Sequence, residues 1–150
     1  MKRARGLTIV EFAVVLTAAA IALFGAIEFS RLLYTYALAG EGARRGARLA
    51  VVCPVNDDRV LQAAAFEDLG IAPSGLTRSN VTVEYLDDSG APVADLTKVS
   101  TIRAVRVRVS GVAFDLNIPF LYQTITLNES RVTLPRESLG YHAAGVSGAC

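Results

Sequence analysis

The chain has 150 residues, of which 52% are hydrophobic, with 15 Lys and Arg against 14 Asp and Glu and a formal net charge of +1. One membrane-length apolar segment near the start leaves chain for one modest domain, and the near-balanced charge gives no electrostatic case for nucleic acid. Two cysteines and a single histidine, His142 in a Gly/Ala-rich tail without a paired acid, make no metal-ligand pattern.

Lys2, Arg3 and Arg5 lead to Gly6, then LTIV, then Glu11, then FAVVLTAAAIALFGAI without a charge. An apolar segment of about 20 residues spans a bilayer as a helix. A carboxylate inside it costs about 2.5–3.5 kcal/mol at the membrane centre and less near an interface. The basic start should remain in the cytoplasm, which places the rest outside it, although Arg31, Arg44, Arg45 and Arg48 weigh on the far side. A cleaved secretory signal fits less naturally. Ala37-Leu38-Ala39 lies beyond Glu28 and Arg31, and Ala18-Ala19-Ala20 sits inside the apolar core.

Basic leader, Gly6, Leu7, Glu11 and apolar helix together resemble the class III signal of type IV pilins and pseudopilins. The resemblance implies a leader at residues 1–6 and a cut by a prepilin peptidase between Gly6 and Leu7. Glu11, fifth in the mature chain, would then pair with the amino terminus of a neighbouring subunit, a compensated rather than an orphan charge. The plain alternative is a signal anchor with one stray Glu near the interface. Loss of the leader would leave twelve basic residues against 14 acidic ones, a net charge of about −2.

Helical spacing continues past the membrane segment. Phe29, Leu32, Leu33, Tyr36, Gly40, Ala43, Ala47 and Ala50 recur at steps of three and four, and no proline precedes Pro54. One helix from about Leu7 to Val52 is predicted, roughly 70 Å long, with residues 7–28 in lipid and an extracytoplasmic domain from 29 to 150. Phe29, Leu32, Leu33, Tyr36, Ala43 and Ala47 form the stripe expected to pack on that domain. Tyr34 and Tyr36 fall where aromatics prefer the headgroup region. Ala39, Ala43 and Ala47, with Gly42 and Gly46 beside them, admit a close backbone. Helix-on-sheet packing within the chain is the expected use, and helix-on-helix packing between subunits is the sharper alternative. Glu28 and Arg31 read as a surface pair, and Arg44, Arg45 and Arg48 as a solvated face.

After Pro54, Asn56 or Asp57 caps a short helix with Val60, Leu61, Ala64 and Leu69 on its apolar side and Gly70 at its end. VTVEYL (81–86) and AVRVRVSGVAF (104–114) alternate as strands, and TITLNESRVTL (124–134) supplies a third, with a bulge expected near Asn128–Arg131. Residues 91–101 read as a loop or a short strand. NIPFLY (117–122) reads as an apolar loop in the core, with contact to the membrane surface or a neighbouring subunit as the other readings. The predicted fold is α+β and pilin-like: a long N-terminal helix laid on a small antiparallel sheet.

Cys53 and Cys150 would both lie in an oxidising compartment and read as one disulfide closing a loop near 100 residues. A free Cys53 or a cross-link to a partner are the alternatives. Asp87 and Asp88 belong to a turn signal with Ser89 and Gly90. The triplets Asn80-Val81-Thr82 and Asn128-Glu129-Ser130 carry no weight, and no nucleophile elbow or phosphate loop is present in the sequence.

Glu28, Phe29, Arg31, Leu32, Tyr34, Gly42, Ala43, Arg44, Gly46, Ala47 and Arg48 resemble the signature stretch of TadE-like proteins, with Ser30 standing where Gly is common. That family resembles minor pilins of the tight-adherence pilus. The resemblance implies a structural pilus-assembly component held single-pass in the inner membrane, with prepilin peptidase, other pilins, assembly-platform proteins and membrane lipid as partners. It implies no catalysis, no cofactor, no small-molecule substrate and no nucleic acid. An unprocessed, membrane-anchored binding or structural module is the alternative from another class.

Overall fold

The computed structural model describes residues 4–141 and 150, with side chains from Thr8 onward, so Lys2, Arg3 and His142 lie outside the described residues. Its spine is one unbroken helix, α1 (Ala4–Ala50), 47 residues long and so about 70 Å from end to end. Three hydroxyls along it are satisfied by its own backbone: Thr17 donates to the Ala13 carbonyl, Ser30 to Ala26 and Thr35 to Arg31, at 2.8, 2.8 and 3.0 Å. The helix stops just before Cys53-Pro54, where the residue preceding a proline disfavours helical backbone.

Helix α2 (Asp58–Ala64) is capped by Asp57, whose carboxylate accepts from the Arg59 N–H at 2.9 Å. The sequence predicted that Leu69 would lie on its apolar face. Instead Phe66 takes a left-handed backbone (φ 58°) and turns the chain into a 3-10 turn, Glu67–Leu69. Phe66 becomes the buried residue, 5% exposed, while Leu69 is 55% exposed.

Five strands follow: β1 (Val81–Leu86), β2 (Ala104–Val109), β3 (Ala113–Ile118), β4 (Leu121–Thr126) and β5 (Ser130–Pro135). β1, β2 and β5 form one antiparallel sheet in that order, with Val83, Val107 and Val132 in register, and β3 and β4 form a separate hairpin. Two predicted strands are therefore four. The 104–114 run breaks at Gly111, which adopts φ 68°, and the expected bulge in 124–134 is a complete break between sheets. The chain between 91 and 101 is loop with a 3-10 turn, Val99–Thr101, and a single bridge from Leu86 to Pro92.

The fold is α+β, a long N-terminal helix on a small antiparallel sheet. Ala39, Ala43, Ala47 and Ala50 meet Ile102, Val105, Val107 and Val109 in a continuous core, all of them essentially without exposed surface. The C-terminal segment closes over the end of α1. Glu137 and Leu139 donate backbone N–H groups to the Val51 carbonyl, and Gly140 donates to Val52, at 3.2, 3.1 and 2.7 Å. Those carbonyls have no partner inside a helix, and this segment supplies one. A disulfide joins Cys53 to Cys150 within the chain, with Cα atoms 5.4 Å apart.

Candidate functional site

One helix has two environments. From Thr8 to Ile27 no residue of it is buried among the described residues: Ile9, Phe12, Leu16 and Leu23 are 70, 66, 56 and 62% exposed. From Glu28 onward one side is buried in the domain. Thr8–Ala50 is long and apolar enough to cross a membrane and fits a single-pass membrane protein.

Glu11 sits in the exposed half, without a hydrogen bond or ion pair to another described residue. The Gly6–Leu7 peptide falls within the first turns of α1, whose backbone alone is described there.

The packing face differs from the predicted stripe. Ala43 and Ala47 are completely buried and Leu32 is half-buried, but Phe29, Leu33 and Tyr36 are 60, 52 and 51% exposed. The buried row is Glu28, Thr35, Ala39, Ala43, Ala47 and Ala50. Close approach explains the rotation, because only small side chains fit between the helix and what covers it. A β-carbon on Gly42 would stand 2.3 Å from the Ala64 carbonyl oxygen, and one on Gly46 would stand 2.8 Å from the Ala64 Cβ and 3.2 Å from Val107. The small residues thus admit both the sheet and α2, a helix-on-helix contact within one chain.

Glu28 is not a surface residue. It is 6% exposed, and one carboxylate oxygen accepts from Arg31 at 2.5 Å while the other has no partner among the described residues. Arg31 in turn lies 5.4 Å above the Phe114 ring of β3. Arg45 is not simply solvated either. It makes two hydrogen bonds to Asp68 and lies over Phe66, whereas Arg44 pairs with Glu41 and Arg48 stays exposed. Neither the burial of Glu28 nor the grip of Arg45 was legible beforehand, because both depend on elements far along the chain.

Tyr85 of β1 and Asp57, before α2, both have shifted acidities. Burial pushes the Tyr85 phenol upward, while its oxygen accepts from the Asn56 N–H at 3.0 Å. The Arg59 N–H holds Asp57 below the usual carboxylate range. Among the described residues, no three His, Cys, Asp or Glu side chains gather into a metal site.

Residues 6–48 match the family model of TadE-like proteins, a stretch lying wholly within α1. No curated protein and no solved structure matches the chain.

Proposed function

We propose that this protein is a minor pilin-type subunit of a tight-adherence pilus, cut between Gly6 and Leu7 and then assembled through its exposed helix. In this reading residues 1–6 are the leader, 7–28 the membrane segment and 29–150 an extracytoplasmic domain that carries the helix onward. The observation that carries it is the bare half of α1, an apolar helix with a single carboxylate five residues after Gly6, in the stretch matched by the TadE-like model. A lipid-embedded helix has no use for Glu11 unless a cation meets it. The amino terminus freed by the cut, on a neighbouring subunit, supplies one. Phe29, Leu33 and Tyr36 add an exposed apolar row just beyond the membrane segment, suited to a neighbouring helix once the subunit leaves the lipid. The partners of this reading are prepilin peptidase, other pilins, the assembly platform and membrane lipid, with the N-terminus in the cytoplasm and the inner membrane as the site of storage. The role is structural.

Intact mass tests the processing step. Protein from cells that express the peptidase should lack Met1 through Gly6, and Gly6→Leu should retain them. Wild-type protein that keeps the leader under those conditions would mean a permanently anchored module instead. Glu11→Leu tests assembly separately: it should insert and be cleaved, yet fail to support pili. Normal piliation by that variant would leave Glu11 merely tolerated.

A further inference from the structure

The β3–β4 hairpin does not point away from the bilayer-length helix but runs back along it toward the N-terminus. At its base Phe114 lies beneath Arg31, and four residues on, the Ile118 side chain reaches to 4.0 Å from where a Gly25 β-carbon would stand. From Arg31 to Gly25 is about 9 Å along the helix axis, and from Leu7 to Gly25 about 27 Å. A hydrocarbon core about 30 Å thick that begins at Leu7 therefore ends beyond Gly25. The hairpin tip, two residues past Ile118, arrives at or below that boundary.

The tip has the composition that such a level selects. Phe120 and Tyr122 are 86 and 78% exposed, Leu121 is 48% exposed, and no charged residue occurs from Leu116 to Asn128. These residues were expected in the core, and they contribute nothing to it. Phe120 also holds φ 70°, a backbone that a bulky side chain adopts at a cost of about 1–2 kcal/mol. Two bare aromatics and a leucine at a strained two-residue turn are costly in water, whereas Phe, Tyr and Leu are favoured at the junction of headgroups and acyl chains.

We propose that the hairpin tip, Pro119–Tyr122, inserts into the bilayer surface from which the long helix emerges, giving the domain a second contact with lipid beside its anchor. The proposal rests on the membrane-anchored reading above. With two contacts the domain is held in one orientation rather than swivelling on α1.

The chain contains no tryptophan, so single reporters can be read without background. Full-length Phe12→Trp, Phe120→Trp, Tyr122→Trp and Tyr141→Trp are reconstituted in phosphatidylethanolamine–phosphatidylglycerol vesicles containing lipids brominated near either end of the acyl chain. Tyr141 follows Gly140, which is bonded to Val52, about 40 Å along the axis from Gly25. The expected result is quenching of Phe12→Trp, and quenching of Phe120→Trp and Tyr122→Trp by at least about twofold with the headgroup-proximal bromines, as suits a depth of about 5–10 Å. Tyr141→Trp should be unaffected. Quenching of Phe12→Trp with neither tip reporter quenched overturns the hairpin contact and leaves the anchor standing. No quenching at any position overturns both. A tip reporter that shifts only as protein density rises, without bromine quenching, assigns the tip to a second copy and overturns the proposal. Quenching of Tyr141→Trp to the same extent also overturns it, because the whole domain would then lie on the lipid.

Discussion

Arg45 on the long helix and Asp68 beyond α2 are joined by two parallel hydrogen bonds of 2.6 and 3.2 Å, and the same guanidinium lies 5.6 Å above the Phe66 ring. Both side chains are about a third exposed, so the pair contributes modestly, about 1 kcal/mol. Arg45→Glu should lower the urea midpoint by that amount or somewhat more, since it also sets two carboxylates together. Reversing Asp68 to Arg in the same chain should recover part of the loss. Arg48→Glu, on exposed helix, should leave the midpoint unchanged.

Glycines along α1 differ sharply in what they tolerate. Gly42→Ala drives a methyl against a backbone carbonyl at 2.3 Å and should cost about 2 kcal/mol or more, and Gly46→Ala, facing the Ala64 methyl at 2.8 Å and Val107 at 3.2 Å, should cost less. Gly40→Ala meets only the Arg44 guanidinium at 3.9 Å and should stabilise the helix by up to about 1 kcal/mol. Thermal unfolding of the three variants in detergent gives the order directly. Equal losses at Gly40 and Gly42 would contradict the close approach of α2.

The bridge between Cys53 and Cys150 closes a long loop, for which chain entropy gives about 4.7 kcal/mol. Cys150→Ser should lower the unfolding midpoint substantially, and reduction of wild type should reproduce it. A peptide map of unreduced protein should contain the Cys53–Cys150 pair from a single chain. A dimer that collapses on reduction would assign the cysteines to a partner instead.

Stability should fall at both ends of the pH scale for different reasons. Asp57 is held low by the Arg59 N–H, Asp87 chiefly by the Ser89 hydroxyl and Asp95 chiefly by the Thr97 hydroxyl. Each is more acidic folded than unfolded, so its contribution is complete above the ordinary carboxylate value and disappears as pH falls through the lowered one. Tyr85 is raised by burial. Its contribution is complete below the ordinary phenol value and disappears as pH rises through the folded one. Unfolding midpoints should therefore be flat from about pH 5 to 9 and decline outside that range. Asp57→Asn preserves a cap and should reduce the acid decline. Tyr85→Phe should flatten the alkaline decline while losing about 1 kcal/mol with the Asn56 hydrogen bond.

Local chemistry made much of this molecule legible before any coordinates. The uninterrupted apolar run, the proline-free helix, the Asp57 cap and the alternation of β1 and β2 each follow from neighbouring residues, and each element is present. What stayed hidden depends on distant partners. Phe29 looks more hydrophobic than Glu28, yet Glu28 is the buried one and pairs with Arg31, which lies over Phe114 far along the chain. The 104–114 run reads as one strand, but the left-handed backbone of Gly111 divides it and the buried side chains pass from Val109 to Val112 and Phe114. NIPFLY is core-like by composition, yet its Phe120, Leu121 and Tyr122 are bare in the fold, since alternation and hydropathy describe a surface without saying what medium meets it.

The C-terminal stitching has a mechanical side. Cys53 lies three residues beyond the last residue of α1, and Cys150, 97 positions on, is bonded to it. Tension applied between the long helix and Cys150 therefore passes through one covalent link and skips everything folded between. Neither sheet bears that load, and the segment between the cysteines cannot be drawn out as extended chain. A pull on α1 against Cys150 would leave the fold between the two cysteines in place.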